Sequence, residues 1–204
     1  MITFGSYEQD NNTSNGKETI EWIVLEVQGN KALLLSKYAL DCRQYNTART
    51  DVTWETCTLR KWLNNDFYNA AFSSAQKSRI VSTTLVNANN PIYRTNGGSN
   101  TTDNVFLLGL SDINNTSLGF SSSYDTFDTA RECKPTAYAK AQGCFISTDS
   151  SFYPGNCNWW LRSPGVESYF AVTVGVGGRV VGYGYDVSED YFGVRPALWI
   201  KLGS

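Results

Sequence analysis

The chain has no histidine. That absence excludes Ser-His-Asp and Cys-His catalysis and any metal site built on imidazole. None of the 5 cysteines (Cys42, Cys57, Cys133, Cys144 and Cys157) forms a C-x-x-C pair, so zinc is not expected. No apolar run is long enough to span a membrane. Basic residues number 17 and acidic residues 19, for a net charge of -2, and neither sign is blocked along the chain. Nucleic acid is therefore not an expected partner. There is no internal repeat, no low-complexity tract and no linker.

What is present suffices for a packed core. Hydrophobic residues make up 41% and aromatics 14% of 204 residues, which argues for one domain over 1–204. An odd cysteine count leaves at least one thiol unpaired within the chain. Buried free thiols fit this composition, and so do one or two disulfides in an exported protein. The first residues lack a signal-peptide pattern. The chain is read as a domain excised from a longer, exported protein, with Gly203-Ser204 a scar of the excision. An extracellular or cell-surface location is expected, with the cytoplasm as the alternative.

The local patterns predict an α+β domain. Ile2 to Tyr7 and Thr19 to Val27 read as strands, and Gly29-Asn30 turns the second into a third over Lys31 to Lys37. The best helix starts at Thr58 as N-cap, with Trp62, Leu63, Phe67 and Ala70 or Ala71 on one face. Ser73 or Ser74 caps a second, shorter one. Ser82 to Val86 and Val105 to Leu108 read as strands, and the loop from Asn87 to Asp103 is long enough to be functional or mobile. Ser111 is expected to cap a short helix, and Thr136 to Gln142 forms another before Gly143. Trp159-Trp160-Leu161 and Leu198-Trp199-Ile200 are buried strands. Arg162 and Arg195 beside them lay their stems on apolar surface and pair their heads with a carboxylate or a carbonyl. Between these strands, Gly177-Gly178 and Gly184 are the expected turn points.

Little in the chain carries obvious chemistry. Glu167, Asp186, Glu189 and Asp190 offer paired carboxylates or calcium oxygens, but a solvated loop with ordinary surface charges is the favoured reading. Gly97-Gly98 is followed by neither a phosphate-loop lysine nor a dinucleotide pattern. No metal and no cofactor is called for. The segment Ser168 to Phe192 stands apart, because tyrosine is concentrated there among glycine and valine. Tyrosine gives contact area at low rotamer cost and glycine permits varied shapes, as in recognition surfaces. The competing reading is a twisted sheet whose aromatics are core. Tyr183 and Tyr185 share a parity and should share a face.

The stretches Trp159 to Pro164 and Val194 to Ile200 resemble the signature of an uncharacterised bacterial domain family, DUF6273. The opening Ile2 to Gly5, the segment Thr53 to Asn64 and the segment Lys134 to Gly143 fit the same family. The local patterns place two helices early and an antiparallel sheet late, with the terminal strands paired, and the C-type-lectin-like fold that the resemblance implies, related to the formylglycine-generating-enzyme type, fits this order. The calcium-binding tripeptides of sugar-binding animal lectins are absent. A formylglycine-generating enzyme would use a late pair of reactive cysteines, and Cys157 is the last cysteine here.

From Ser168 to Val187 there is no Asn, Lys, Gln, Met, Trp or Glu. Apart from Asn, those types need codons ending in a purine. The segment is similar to the variable region of diversity-generating retroelements, whose variable proteins are C-type-lectin-fold binders randomised at adenines of asparagine codons. The resemblance implies a displayed, diversified surface at Tyr169, Phe170, Thr173, Gly175, Val176, Arg179, Val181, Gly182, Tyr183, Tyr185, Asp186, Ser188 and Tyr191. The resulting expectation is a non-enzymatic binding module for a protein or cell-surface ligand. The alternatives are a carbohydrate-binding module of a bacterial surface protein, a formylglycine-generating-type enzyme, and a structural domain of an adhesin.

Overall fold

A computed structural model describes residues 1–149 and 151–203, so Ser204 of the expected scar lies outside the described residues. The chain is mixed α+β, built on two five-stranded sheets that are almost entirely antiparallel.

The first sheet begins with β1 (Ile2–Tyr7), β2 (Glu18–Gln28) and β3 (Lys31–Ser36). The β2–β3 hairpin turns at Gly29, whose φ of 59° is the left-handed conformation that glycine adopts without cost. The C-terminal strand β12 (Ala197–Lys201) docks on the far side of β3, pairing Leu198 with Leu34 and Ile200 with Ala32. A short strand, β5 (Ile80–Val81), closes the order β1-β2-β3-β12-β5. The terminal strands share this sheet but are not neighbours, contrary to expectation. β2 and β3 stand between them, because β1 pairs with β2 while the buried run of β3 receives β12.

The second sheet runs β10-β9-β8-β11-β4. Its centre is β8 (Trp159–Pro164), flanked by β9 (Phe170–Val174) and β11 (Gly193–Val194). β10 (Val180–Asp186) and β4 (Asp41–Cys42) are its edges. Trp159, Trp160 and Leu161 are fully buried, as their runs predicted. Both indole nitrogens find carbonyls, Trp159 on Arg131 at 3.1 Å and Trp160 on Arg43 at 2.9 Å. Arg162 and Arg195 behave as expected. Arg195 donates to the carbonyls of Ser36, Arg131 and Glu132, and Arg162 to Leu107 and the carboxylate of Asp112.

The helices are short. α1 (Thr58–Trp62) runs through a π turn (Leu63–Phe67) into α2 (Tyr68–Ala71), and Leu63, Phe67 and Ala71 face the core. Its N-cap is Cys57, not Thr58: the sulfur accepts from Arg60 N at 3.4 Å. α3 (Ser74–Lys77) starts in a capping box between Ser73 and Gln76. α4 (Leu110–Ile113) starts at Gly109, whose N–H is held by Asp112 at 2.8 Å, so Ser111 is inside the helix and does not cap it. α5 (Ala137–Ala141) is capped by Thr136. The long loop after residue 86 ends in β7 (Thr101–Asp103), which pairs with β6 (Thr83–Leu85). Val105 to Leu108 is buried but not a strand, touching the first sheet only where Phe106 bridges Ala197.

Candidate functional site

The expected recognition segment folds as the hairpin β9–β10 with an extension to β11. Gly177-Gly178 makes the turn, as predicted. Gly178 has φ 76°, and a side chain there would overlap the Asp128 carbonyl. Gly184 is not a turn. It sits within β10 at φ 79°, where the pairing with β9 slips between Val181 and Tyr185, and a Cβ would lie 2.5 Å from the Ala171 carbonyl oxygen. This is a bulge at a sheet edge, where a strand can re-aim a side chain.

The bulge divides the expected positions into groups. Arg179, Val181, Gly182 and Tyr183 line an open groove of about 790 Å³. Beyond the bulge, Tyr185 leans on Phe192 with ring centroids 5.0 Å apart, and Tyr191 stacks on the same ring at 4.7 Å. Burial, then the neighbouring Tyr183 and Tyr191 hydroxyls, push the Tyr185 phenol up. Asp186 accepts from Ser188 and pairs with Arg49 at 2.6 Å, while the Arg49 guanidinium covers the Tyr169 ring at 4.9 Å. Phe170 is half-buried against Tyr169. Gly175 and Val176 lie at the hairpin turn, partly exposed. Thr173 is the correction: it points inward from β9 and is fully buried, so it displays nothing.

The opposite walls of the groove come from two loops that the segment itself does not reveal. One carries Ile92 and Tyr93, the other Tyr124 and Asp125. Tyr183, Tyr93 and Ile92 are 49%, 41% and 54% exposed, which makes this an aromatic and aliphatic rim open to solvent. Arg179 lies across it, its Nε donating to Asp125 Oδ1 at 2.6 Å. The pair is exposed, so it contributes little to stability and is free to exchange for a ligand's polar group.

Asn90 holds the first loop in place. Its buried side chain donates to the carbonyls of Pro164 (2.8 Å) and Gly182 (3.1 Å) and accepts from the N–H groups of Ile92 (2.9 Å) and Tyr93 (3.2 Å). All four hydrogen-bonding sites of that amide are used, tying the loop's apolar tip to β8 and β10. The second loop is tied by Val180 N, which donates to the Tyr124 carbonyl at 2.9 Å. Tyr124 separates the groove from a smaller cavity of about 220 Å³, lined by Asn87, Asn89 and Ser163 among others. Burial raises the Tyr124 phenol. Asn87 is buried, donates through its amide nitrogen to the Ser99 carbonyl, and has no partner for Oδ1 among the described residues.

The arrangement therefore suits binding: an open groove with an aromatic rim, one exposed ion pair, and a polar side cavity. Among the described residues the one acidic group close enough to share a cation is Glu8, Asp10 and Glu18, at the end of β1 and start of β2 and outside this groove. The sequence alone points to Arg179, Val181, Gly182 and Tyr183, but not to Ile92, Tyr93, Tyr124, Asp125 or Asn87. For Asn87, Ile92 and Tyr93 the one signal in the sequence is the length of the loop from Asn87, and Tyr124 and Asp125 carry none.

These features define a mixed α+β domain of two sheets with a ligand-sized groove on the edge of the second. The family model described as "Domain of unknown function (DUF6273)" matches residues 29–202, and the chain belongs to that family. No curated protein and no solved structure matches it.

Proposed function

We propose that the chain is a non-enzymatic ligand-binding module of C-type-lectin-like type whose recognition surface is the groove along the outer edge of β10. The observation that carries this reading is the convergence of Arg179 and Tyr183 with Ile92, Tyr93, Tyr124 and Asp125 around one open groove. The tyrosines supply contact area with two rotatable bonds each, and the ion pair supplies an exchangeable polar contact. A protein or other cell-surface ligand fits the open shape. Diversification by a retroelement would act on the outward positions of β10 and the hairpin turn, leaving Thr173 fixed inside.

A second reading, carbohydrate binding, is favoured by the exposure of Tyr93 and Tyr183 beside the polar Arg179–Asp125 pair. Sugar rings stack on such faces while their hydroxyls meet the charges.

One experiment separates the readings. The wild-type domain and a Tyr183→Ala/Arg179→Ala variant are profiled on a glycan array and on arrays of bacterial surface proteins. The expected result is targets bound by the wild type and lost by the variant. Glycan hits alone favour the sugar reading. Hits equally strong in both forms place binding elsewhere. For diversification, the genomic neighbourhood should hold a near-identical copy of the codons for 168–192 differing at adenines, beside a reverse transcriptase. If neither is there, the diversified version is lost and plain binding stands.

A further inference from the structure

Four of the 5 cysteines meet at the back of the second sheet, although they lie far apart in sequence. Gly193 of β11 pairs with Cys42 of β4, and a Cβ on Gly193 would lie 3.3 Å from Cys157 Sγ. The same Cβ would lie 2.7 Å from Ala39 Cβ, so glycine lets this wall pack closely beside the sulfur. Cys157 N donates to the Cys133 carbonyl at 2.8 Å, and Phe145 N, next to Cys144, donates to the Tyr191 carbonyl at 2.9 Å. The thiols follow this backbone frame. Cys42 contacts Cys144, Cys144 contacts Cys157, and Cys157 contacts Cys133. Cys57 stands apart under α1, against Tyr45 and Trp54.

The sulfurs form a line and not a cage. Among the described residues, no three of them fall within 4.8 Å of one another, so they do not make a tetrahedral metal site. A line of four in which only neighbours touch can be paired completely in one way, outer with outer neighbour at each end. One end is reachable: Cys42 lines an open groove of about 350 Å³ with Arg43, Gln44 and Asp190, while Cys157 at the far end is fully buried.

We propose that these four cysteines form a thiol–disulfide relay. It takes up oxidising equivalents from a small disulfide at the groove beside Cys42 and stores them as the disulfides Cys42–Cys144 and Cys133–Cys157. Hydrogen bonds from Cys157 and Cys42 hold the Cys144 thiol down to about 5, so Cys144 supplies the thiolate that exchange requires. In the first step the Cys144 thiolate, as little covered as its neighbour Cys42, attacks one sulfur of the incoming disulfide and expels the other half as a thiolate. Cys42 then gives its proton to the departing thiolate and attacks Cys144, releasing the second half. Two protein thiols are oxidised and one external disulfide is reduced to two thiols. The bond then moves inward: Cys157 attacks Cys144 and frees Cys42, and Cys133 attacks Cys157 and frees Cys144. A second external disulfide reoxidises Cys42 and Cys144.

The test uses the full chain, reduced, desalted and exposed to glutathione disulfide under native conditions. Thiols are counted after denaturation, and linked peptides are mapped. The expected outcome is a fall from 5 thiols to one, Cys57, with linkages 42–144 and 133–157. Cys57→Ser should show the same linkages and no thiol. Cys144→Ser breaks the line and should slow the 133–157 linkage by on the order of tenfold or more, since exchange needs access. Cys42→Ser, at the rim, should slow it likewise, and it carries the test if Cys144→Ser does not fold. Three results would overturn the relay. They are a wild type that keeps four or more thiols, a 133–157 linkage that forms at the wild-type rate without Cys144 or Cys42, and a chelator-removable thiophilic cation on thiols that stay reduced.

Discussion

Tyr183 and Tyr185 stand on one face of β10 with ring centroids 6.0 Å apart, yet Tyr183 is open to solvent while Tyr185 is wedged against Phe192. Gly184 between them allows the difference, because the bulge lifts Tyr183 toward the groove. The two tyrosines should therefore separate binding from stability. Tyr185→Ala is expected to cost about 2 kcal/mol through lost packing. Tyr183→Ala should stay within about 0.5 kcal/mol of wild type. Urea unfolding of both variants checks this, and an equal loss in the two would mean Tyr183 is part of the core.

The sequence was readable where a local rule sufficed. Ser73 with Gln76 is a capping box, Thr136 is a cap, and Trp159 to Leu161 is too apolar to lie anywhere but in a buried strand. It misled where the cap was unusual. Sulfur is a weak acceptor, so residue preference points to Thr58 while the chain uses the Cys57 sulfur. At α4 it is a carboxylate reaching back to Gly109 that starts the helix. Half of the groove was legible because tyrosines crowd one strand. The other half is brought there from two distant loops, one held by Asn90 and one by the Val180 N–H on the Tyr124 carbonyl, and no period or spacing encodes that. The line of sulfurs is equally tertiary, since Cys42, Cys133, Cys144 and Cys157 are brought together only by the pairing of β4 with β11 and by the loops beside it.

Asn90 is the positioning residue of the groove. Its amide serves two carbonyls and two N–H groups while fully buried. Replacing it by alanine leaves those groups unpaired and frees the tip carrying Ile92 and Tyr93. Each buried group left unpaired costs about 1–3 kcal/mol, with relief where water enters. Asn90→Ala should thus destabilise by about 2 kcal/mol. Hydrogen exchange should show Ile92 and Tyr93 amides losing protection before the β8 amides do. Uniform loss across the molecule would argue against a local tether.

Arg195 is buried without a carboxylate partner among the described residues. Its guanidinium is satisfied by the carbonyls of Ser36, Arg131 and Glu132 and lies over Trp159 at 5.0 Å. Those bonds join β3, the segment before α5, and the link between β11 and β12. Arg195→Lys keeps the charge but not the fork that reaches three carbonyls, so it should not rescue. Arg195→Ala is expected to cost about 3–5 kcal/mol, since it removes three buried hydrogen bonds from a charged donor, each worth about 1.5–3 kcal/mol, while one of the three carbonyls keeps the Trp159 indole as a partner. Arg195→Lys should recover less than half of that. Thermal denaturation of the two variants measures it, and a lysine variant as stable as wild type would show that charge alone matters.

Asp41 gives the fold a pH dependence of unusual sign. It is buried, accepts from the Tyr7 hydroxyl at 2.6 Å and from Cys42 N at 2.8 Å, and lies 3.5 Å from Arg43. Burial raises its carboxyl above the ordinary value despite these lowering partners. A carboxyl raised in the folded state contributes stability below its unfolded value, near 3.8, and loses it as pH climbs through the folded value. Most carboxylates of a domain work in the opposite direction, so the bulk acid response hides this one. A difference experiment exposes it. Wild type and Asp41→Asn are unfolded in urea at pH values from acid to neutral. The stability of wild type relative to the variant should be greatest at the acid end and should decline toward neutrality. The decline is about 1.4 kcal/mol for each unit by which the fold raises the group. A difference that instead grows toward neutrality would show that Tyr7 and Arg43 outweigh burial and hold the carboxylate charged.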